Sequence, residues 1–347
     1  MGFLTQQEAS SLRITNMILH VVGAETFTAE RERTVEHAEF FIDRIRDTDV
    51  APIYSFNNDS LTKAQLERVA LREDSFEQGA QNLSRDFARL HVGSSRDGAF
   101  FIFELETDQA QTKIYSLIKY DYRQVIEQAD SADGGLLRRI VHAFIDDKKA
   151  IQKSAIVRVA NGIAHADLSA RDRVKAPPEI GDYFANFLGV TRTLSDQQLN
   201  LRLVDVLRET LTACKELLPD QDVARAFRRA KAILRDRLEI GELPITEAVV
   251  TVAGNPQDEN IRAELQAQLS RRIRSSRLEG LMFPPDQQIL QKPPLRKVRT
   301  TEGVTLMYPD DSGDTTVARV PRDGGGEVIT ISTRQVVEDS VVRDSTR

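Results

Sequence analysis

Residues 97–121 read DGAFFIFELETDQAQTKIYSLIKYD. Two hydrophobic segments flank the polar connection TDQAQT at 107–112. The first, 98–105, is apolar at almost every position, which predicts a strand covered on both faces. The second, 113–119, alternates: Ile114, Ser116 and Ile118 fall on one side and Tyr115 and Leu117 on the other. The pair reads as an antiparallel hairpin with Phe100–Phe103 in the middle of a sheet. Glu104 and Glu106 are expected to point to water at its end.

Working outward, residues 12–22 (LRITNMILHVV) suggest an opening strand. Residues 28–46 suggest a helix, from Val35, Ala38, Phe41, Ile42 and Ile45. Pro52 interrupts, 54–58 reads as a loop, and an N-cap at Asp59-Ser60-Leu61 opens a helical region that continues to Leu90 with a break at Gly79. Turns are expected at 93–96 and 130–135. Further strands are expected at 136–145 and 155–160, with a short polar crossing or helical turn at 146–154. Beyond Ile180 the pattern turns helical. Ser195 or Asp196 can cap a helix with an apolar stripe from Leu199 to Leu218. Asp222 opens another with Val223, Phe227, Ala230, Ile233, Leu234 and Leu238, stopped by Gly241. Shorter helical pieces follow at 245–252 and 256–274. Pro284, Pro285, Pro293 and Pro294 mark a linker. Four β-like runs follow at 297–300, 304–308, 315–321 and 327–332.

The fold class is therefore α+β: an N-terminal antiparallel sheet covered by helices, then a helical region, then a small C-terminal β region. The expected units are 1–178 (α+β domain), 179–283 (helical domain), 284–335 (Pro-rich linker and small β region) and 336–347 (flexible tail). At 347 residues, with 29% charged and 40% hydrophobic residues, the mix is an ordinary globular one. No apolar run suffices for a membrane span, and the N-terminus lacks a secretory pattern. Gly2 invites N-myristoylation, but Gln6 stands where that motif wants Ser or Thr. The single cysteine, Cys214, excludes an intramolecular disulfide and fits a reducing cytoplasm. It falls on an apolar helical stripe, which argues for core.

Catalytic signatures are missing. The histidines, His20, His37, His91, His142 and His165, lie far apart, and with one cysteine a zinc site is not supported. There is no P-loop, no GxGxxG and no GxSxG; Gly324–Gly326 reads as a hairpin turn. No cofactor and no metal is expected. Glu104, Glu106, Asp108 and Asp121 with Lys113 and Lys119 sketch a metal-dependent nuclease, a minor alternative without close E-x-K spacing.

What stands out is charge distribution. The net charge of −6 resolves into −6 over 1–219, +4 over 220–299 and −4 over 300–347. The positive segment carries three clusters: Arg225, Arg228, Arg229 and Lys231; Arg271, Arg272, Arg274 and Arg277; and Lys292, Arg296, Lys297 and Arg299. Arginines and lysines without interleaved aromatics suit contacts to phosphate rather than to bases.

Four stretches in the same order resemble the bacterial nucleoid-associated protein family of the NdpA (YejK) type. They are 97–120, 144–159 (FIDDKKAIQKSAIVRV, with Arg158 at the family's arginine), 183–207 (YFANFLGVTRTLSDQQLNLRLVDVL) and 295–332. The resemblance implies a non-enzymatic, cytoplasmic protein of the nucleoid that binds double-stranded DNA, with a DNA topoisomerase as a further partner. A homodimer would double its phosphate contacts. The alternative is a scaffold or antiphage-defence component acting through protein partners.

Overall fold

The computed structural model describes residues 2–23, 26–90, 97–129, 136–144, 150–310, 316–322 and 325–340. In the N-terminal half the order is α1 (Gln6–Ser11), β1 (Arg13–Val22), α2 (Ala38–Thr48), β2 (Tyr54–Phe56), α3 (Leu61–Ala70), α4 (Phe76–Leu90), β3 (Gly98–Glu106), β4 (Thr112–Tyr120), β5 (Tyr122–Ala129), β6 (Leu136–Phe144), β7 (Ile151–Ala160), β8 (Ile163–Ala164) and β9 (Asp167–Asp172). Then come α5 (Asp182–Leu188), β10 (Val190–Arg192), α6 (Asp196–Ala213), α7 (Val223–Arg235), α8 (Glu242–Val252), α9 (Glu259–Ser275) and α10 (Gln287–Gln291). Two hairpins finish the chain: β11 (Leu295–Arg299) with β12 (Thr305–Pro309), and β13 (Val317–Pro321) with β14 (Glu327–Ile331). The fold is α+β.

An eight-stranded sheet runs β1-β3-β4-β7-β9-β2-β10, with β8 paired to β7. Every pairing in it is antiparallel. The hairpin at 97–121 supplies two of its inner strands, and residues 98–105 of β3 are all buried, as a run apolar on both faces requires. One face carries Phe100, Ile102, Tyr115, Leu117 and Val157; α3, α4 and α5 cover it, and its buried cluster continues through α6–α9 to Leu290. Phe87 of α4 stacks on Phe100 at 4.3 Å between ring centroids. The other face carries Phe101, Phe103, Leu105, Ile114 and Ile118, covered by Ile42 and Ile45 of α2 and by Phe3, Leu4 and Leu12. The N-terminal segment is clamped there. The Asp49 carboxylate accepts the backbone N–H of Phe3 at 2.7 Å, and Arg158 reaches Glu8 at 2.6 Å.

Several local expectations change. The helix read over 28–46 begins only at Ala38, after His37 takes a left-handed backbone with φ 54°. Residues 28–34 have no apolar face to bury, and Arg33 instead donates its N–H to Met17 O on β1. The supposed loop at 54–58 contains β2, held between β9 and β10, and Tyr54 is buried. The break expected at Gly79 lies at 71–75. Gly79 lies inside α4, where a Cβ would come within 2.2 Å of Val69 Cγ2 on α3. β7 begins at Ile151, so Gln152–Ser154 belong to a buried strand and not to a polar crossing. β5 is a strand the sequence reading lacks; it pairs with β6 as a separate two-stranded sheet. Leu238 lies past the end of α7 and is 94% exposed, and Gly241 caps the start of α8. Within the Pro-rich stretch α10 docks through buried Leu290, and Asn200 Nδ2 donates to Pro284 O at 3.0 Å. The turns at 93–96 and 130–135, the crossing at 146–149 and Gly324 fall outside the described residues, as does the tail beyond 340. Cys214 is buried, and burial pushes its thiol pKa up.

Candidate functional site

Two sites compete for function: the polar residues of the sheet and the basic clusters of the C-terminal half. In the sheet, the carboxylates and lysines of the hairpin separate. Lys113 and Lys119 are six residues apart on β4, about 20 Å. Around Lys113, Glu104 Oε1 lies at 3.2 Å and Glu106 Oε1 at 2.6 Å, and Tyr115 Oη donates to Glu104 Oε2 at 2.8 Å. Glu104 is thus buried and does not point to water; Glu106 remains half-exposed. Burial works against the Lys113 ammonium, but the two carboxylates outweigh it and raise its pKa.

At the opposite end, His20, Phe100, Lys119, Lys153 and Asp172 pair directly across five neighbouring strands. Directly paired residues share a face, so the row projects into the core beneath α4 and α5. All five are buried. Lys153 forms an ion pair with Asp172 and lies 4.7 Å from the centre of the Tyr183 ring. Asp172 also accepts the N–H of Gly181 at 2.9 Å. Burial, helped by the neighbouring Lys153, pushes the Lys119 pKa down to about 8. Burial pushes His20 down to about 4, and the charges of Arg33 and Arg85 add to this. No group of three or more histidine, cysteine or carboxylate residues able to hold a metal occurs among the described residues.

The basic clusters meet in part. A cleft of about 960 Å3 lies between α6, α7, α10 and β11. Lys231, Lys292, Arg296 and Lys297 line it, together with Arg208, Lys215 and Arg319, which stand outside the clusters seen in sequence. Among the described residues only two carboxylates, Asp222 and Asp310, share the wall. Helix α7 starts there because Asp222 caps it, accepting the N–H of Arg225 at 3.0 Å.

These cations are not equivalent. Lys231 is buried under the cleft and donates to Lys292 O at 2.5 Å; burial lowers its pKa. Its ammonium fastens α7 to the Pro-rich segment and is withdrawn from solvent. Arg296 and Arg228 both reach Asp310, at 2.8 and 3.1 Å. Arg225 lies 3.3 Å from Asp220. Lys215, Arg229, Lys292, Lys297 and Arg299 are exposed, and no carboxylate pairs with any of them among the described residues.

The cluster at the end of α9 goes elsewhere. Arg272 bonds Gln268 and faces Glu209 on α6, Arg274 lies 3.5 Å from Glu279, and Arg277 lies 3.5 Å from Asp167. Arg271 is exposed without an ion pair among the described residues. None of the four lines the cleft, and Arg274 borders a separate hollow with Arg46 and Asp49. Among the described residues no helix is long and apolar enough to cross a membrane. Comparison with family models and with curated proteins yields no match for this chain.

Proposed function

We propose that this chain is a non-enzymatic, largely sequence-independent DNA-binding protein that grips the phosphate backbone of the duplex. The observation that supports this reading is the set of exposed cations, Lys215, Lys292 and Lys297 lining the cleft with Arg229 on α7 and Arg299 on β11, none paired with a carboxylate among the described residues. Such side chains meet phosphates without losing an internal partner. On this reading the protein acts in the cytoplasm at the nucleoid, as the family resemblance implies, with a DNA topoisomerase as an associate and a second copy doubling the phosphate contacts.

Gel retardation of a short duplex at 50 and 200 mM salt tests the proposal. Five or six phosphate contacts predict a fall of about 10³-fold in affinity over that range, nearly independent of sequence. Absence of retardation at the lower salt rejects it.

A further inference from the structure

The interior of the cleft is apolar, which phosphate contact does not require. On α6, Leu201, Val204 and Arg208 form a stripe distinct from the one that buries Leu199, Leu203 and Val206. Leu201 is 50% exposed, and Leu295 on the opposite wall is 66% exposed. Val223, Ile289 and Val298 lie between them as partly buried lining. Contiguous exposed apolar surface rimmed by polar residues marks an interaction site. Here the rims are cationic on both sides, with Arg208 and Lys215 on the α6 side and Lys292 and Lys297 on the other.

An apolar floor between two cationic rims complements a helix whose apolar stripe is flanked by carboxylates. Two to three turns of such a helix, about 10–12 Å across and half sunk, displace on the order of 10³ Å3, which matches the cleft. The duplex backbone offers phosphates but no apolar stripe. We infer that the cleft docks an acidic amphipathic helix of a protein partner, and that this helix competes with DNA for the rim lysines. The docking stands without the DNA reading; the competition rests on it.

The test uses the full chain and a fluorescein-labelled 18-residue peptide, with leucines at i, i+3, i+4 and i+7 and glutamates on the flanks. The control peptide has the same composition with its leucines spread around the helix. In fluorescence anisotropy without DNA, the amphipathic peptide binds at least tenfold tighter than the control. Leu201→Glu weakens it at least tenfold, and Leu201→Met retains it. Because Leu201 is half-exposed, both variants fold, as matching thermal melts verify. Equal affinity for the two peptides, or no effect of Leu201→Glu, overturns the docking. In a second arm the peptide releases retarded duplex DNA. Peptide and DNA bound together overturn the competition. Peptide binding without any DNA retardation upholds the docking and rejects the DNA reading alone.

Discussion

Arg296 and Asp310 are joined across the β11–β12 hairpin, with Arg296 Nε donating to Asp310 Oδ1 at 2.8 Å. The same carboxylate draws in Arg228 from α7 at 3.1 Å. One buried aspartate thus anchors the hairpin to the helical layer and occupies two guanidiniums, of which Arg296 lines the cleft. Asp310→Ala leaves both arginines without their partner. A loss of about 1–2 kcal/mol in unfolding free energy is expected, modest because the arginines are partly solvated. Tryptic cleavage after Lys297 and Arg299 becomes faster. An unchanged urea midpoint together with unchanged cleavage contradicts the anchoring role.

The division between free and engaged cations predicts which reversals matter for DNA. Lys292→Glu with Lys297→Glu and Arg299→Glu removes three unpaired charges, two on the cleft wall and one at the end of β11, and adds three of opposite sign. Duplex affinity at 50 mM salt is expected to drop at least 100-fold. Reversal at Arg272 and Arg274 breaks contacts to Gln268, Glu209 and Glu279. It is expected to lower stability more than affinity. Titration of both variants, with melting curves alongside, separates the two; equal affinity losses contradict the assignment.

His20 predicts acid sensitivity. Both ring nitrogens are buried without a hydrogen-bond partner among the described residues, and the ring packs on Phe27 at 5.1 Å. Its pKa falls from the usual 6.5 to about 4. The unfolded chain therefore takes up a proton that the folded chain refuses. The stabilisation is full above pH 6.5 and is lost as pH falls toward 4, by about 2 kcal/mol at pH 5. His20→Phe, which removes the unsatisfied nitrogens, is expected to abolish this contribution and to match or exceed the parent at pH 7. Urea midpoints of both proteins at pH 7 and pH 5 measure it; parallel slopes refute it.

Asp49 carries the opposite slope. Burial raises its pKa from 3.8 to about 6, against the N–H donors of Phe3 and Leu4 that favour the ionised form. Between pH 4 and 6 the folded chain holds a proton that the unfolded chain has lost, so this group's contribution declines as pH rises through that window. Asp49→Asn keeps an acceptor for the Phe3 N–H without the buried charge. The difference in stability between variant and parent should grow from pH 4 to pH 6 in the variant's favour and level off above. A difference that does not vary with pH counts against the assignment.

Much of the sheet was legible because its strands are apolar on both faces. Residues 98–105 could hardly sit anywhere but in the interior of a sheet. The periodicity after Ser195 and Asp222 located α6 and α7 for a similar reason. Polar strand residues were opaque: Lys153 and Gln152 read as a crossing because their partners, Asp172 and Asp121, lie 19 and 31 positions away. The cleft was half legible. Lys292, Arg296 and Lys297 are neighbours in sequence, whereas Arg208, Lys215 and Arg319 are scattered charges that packing alone assembles. Lys231 did carry a signal. It follows Phe227 by four residues and Val223 by eight, on the stripe that α7 turns inward.

The buried row from His20 to Asp172 also bears on how the chain finds its strand pairing. Side chains alternate across a sheet, so sliding one strand by a single residue swaps its two faces. Any such slip in β4 or β7 would drive Lys119 or Lys153 to the opposite face, toward Phe101, Phe103 and Ile118 and away from Asp172. Hydrophobicity alone would tolerate that error, since both faces of the hairpin are apolar. The ionisable row works as an alignment key: it makes misregistered sheets expensive and leaves one pairing in which its charges are met.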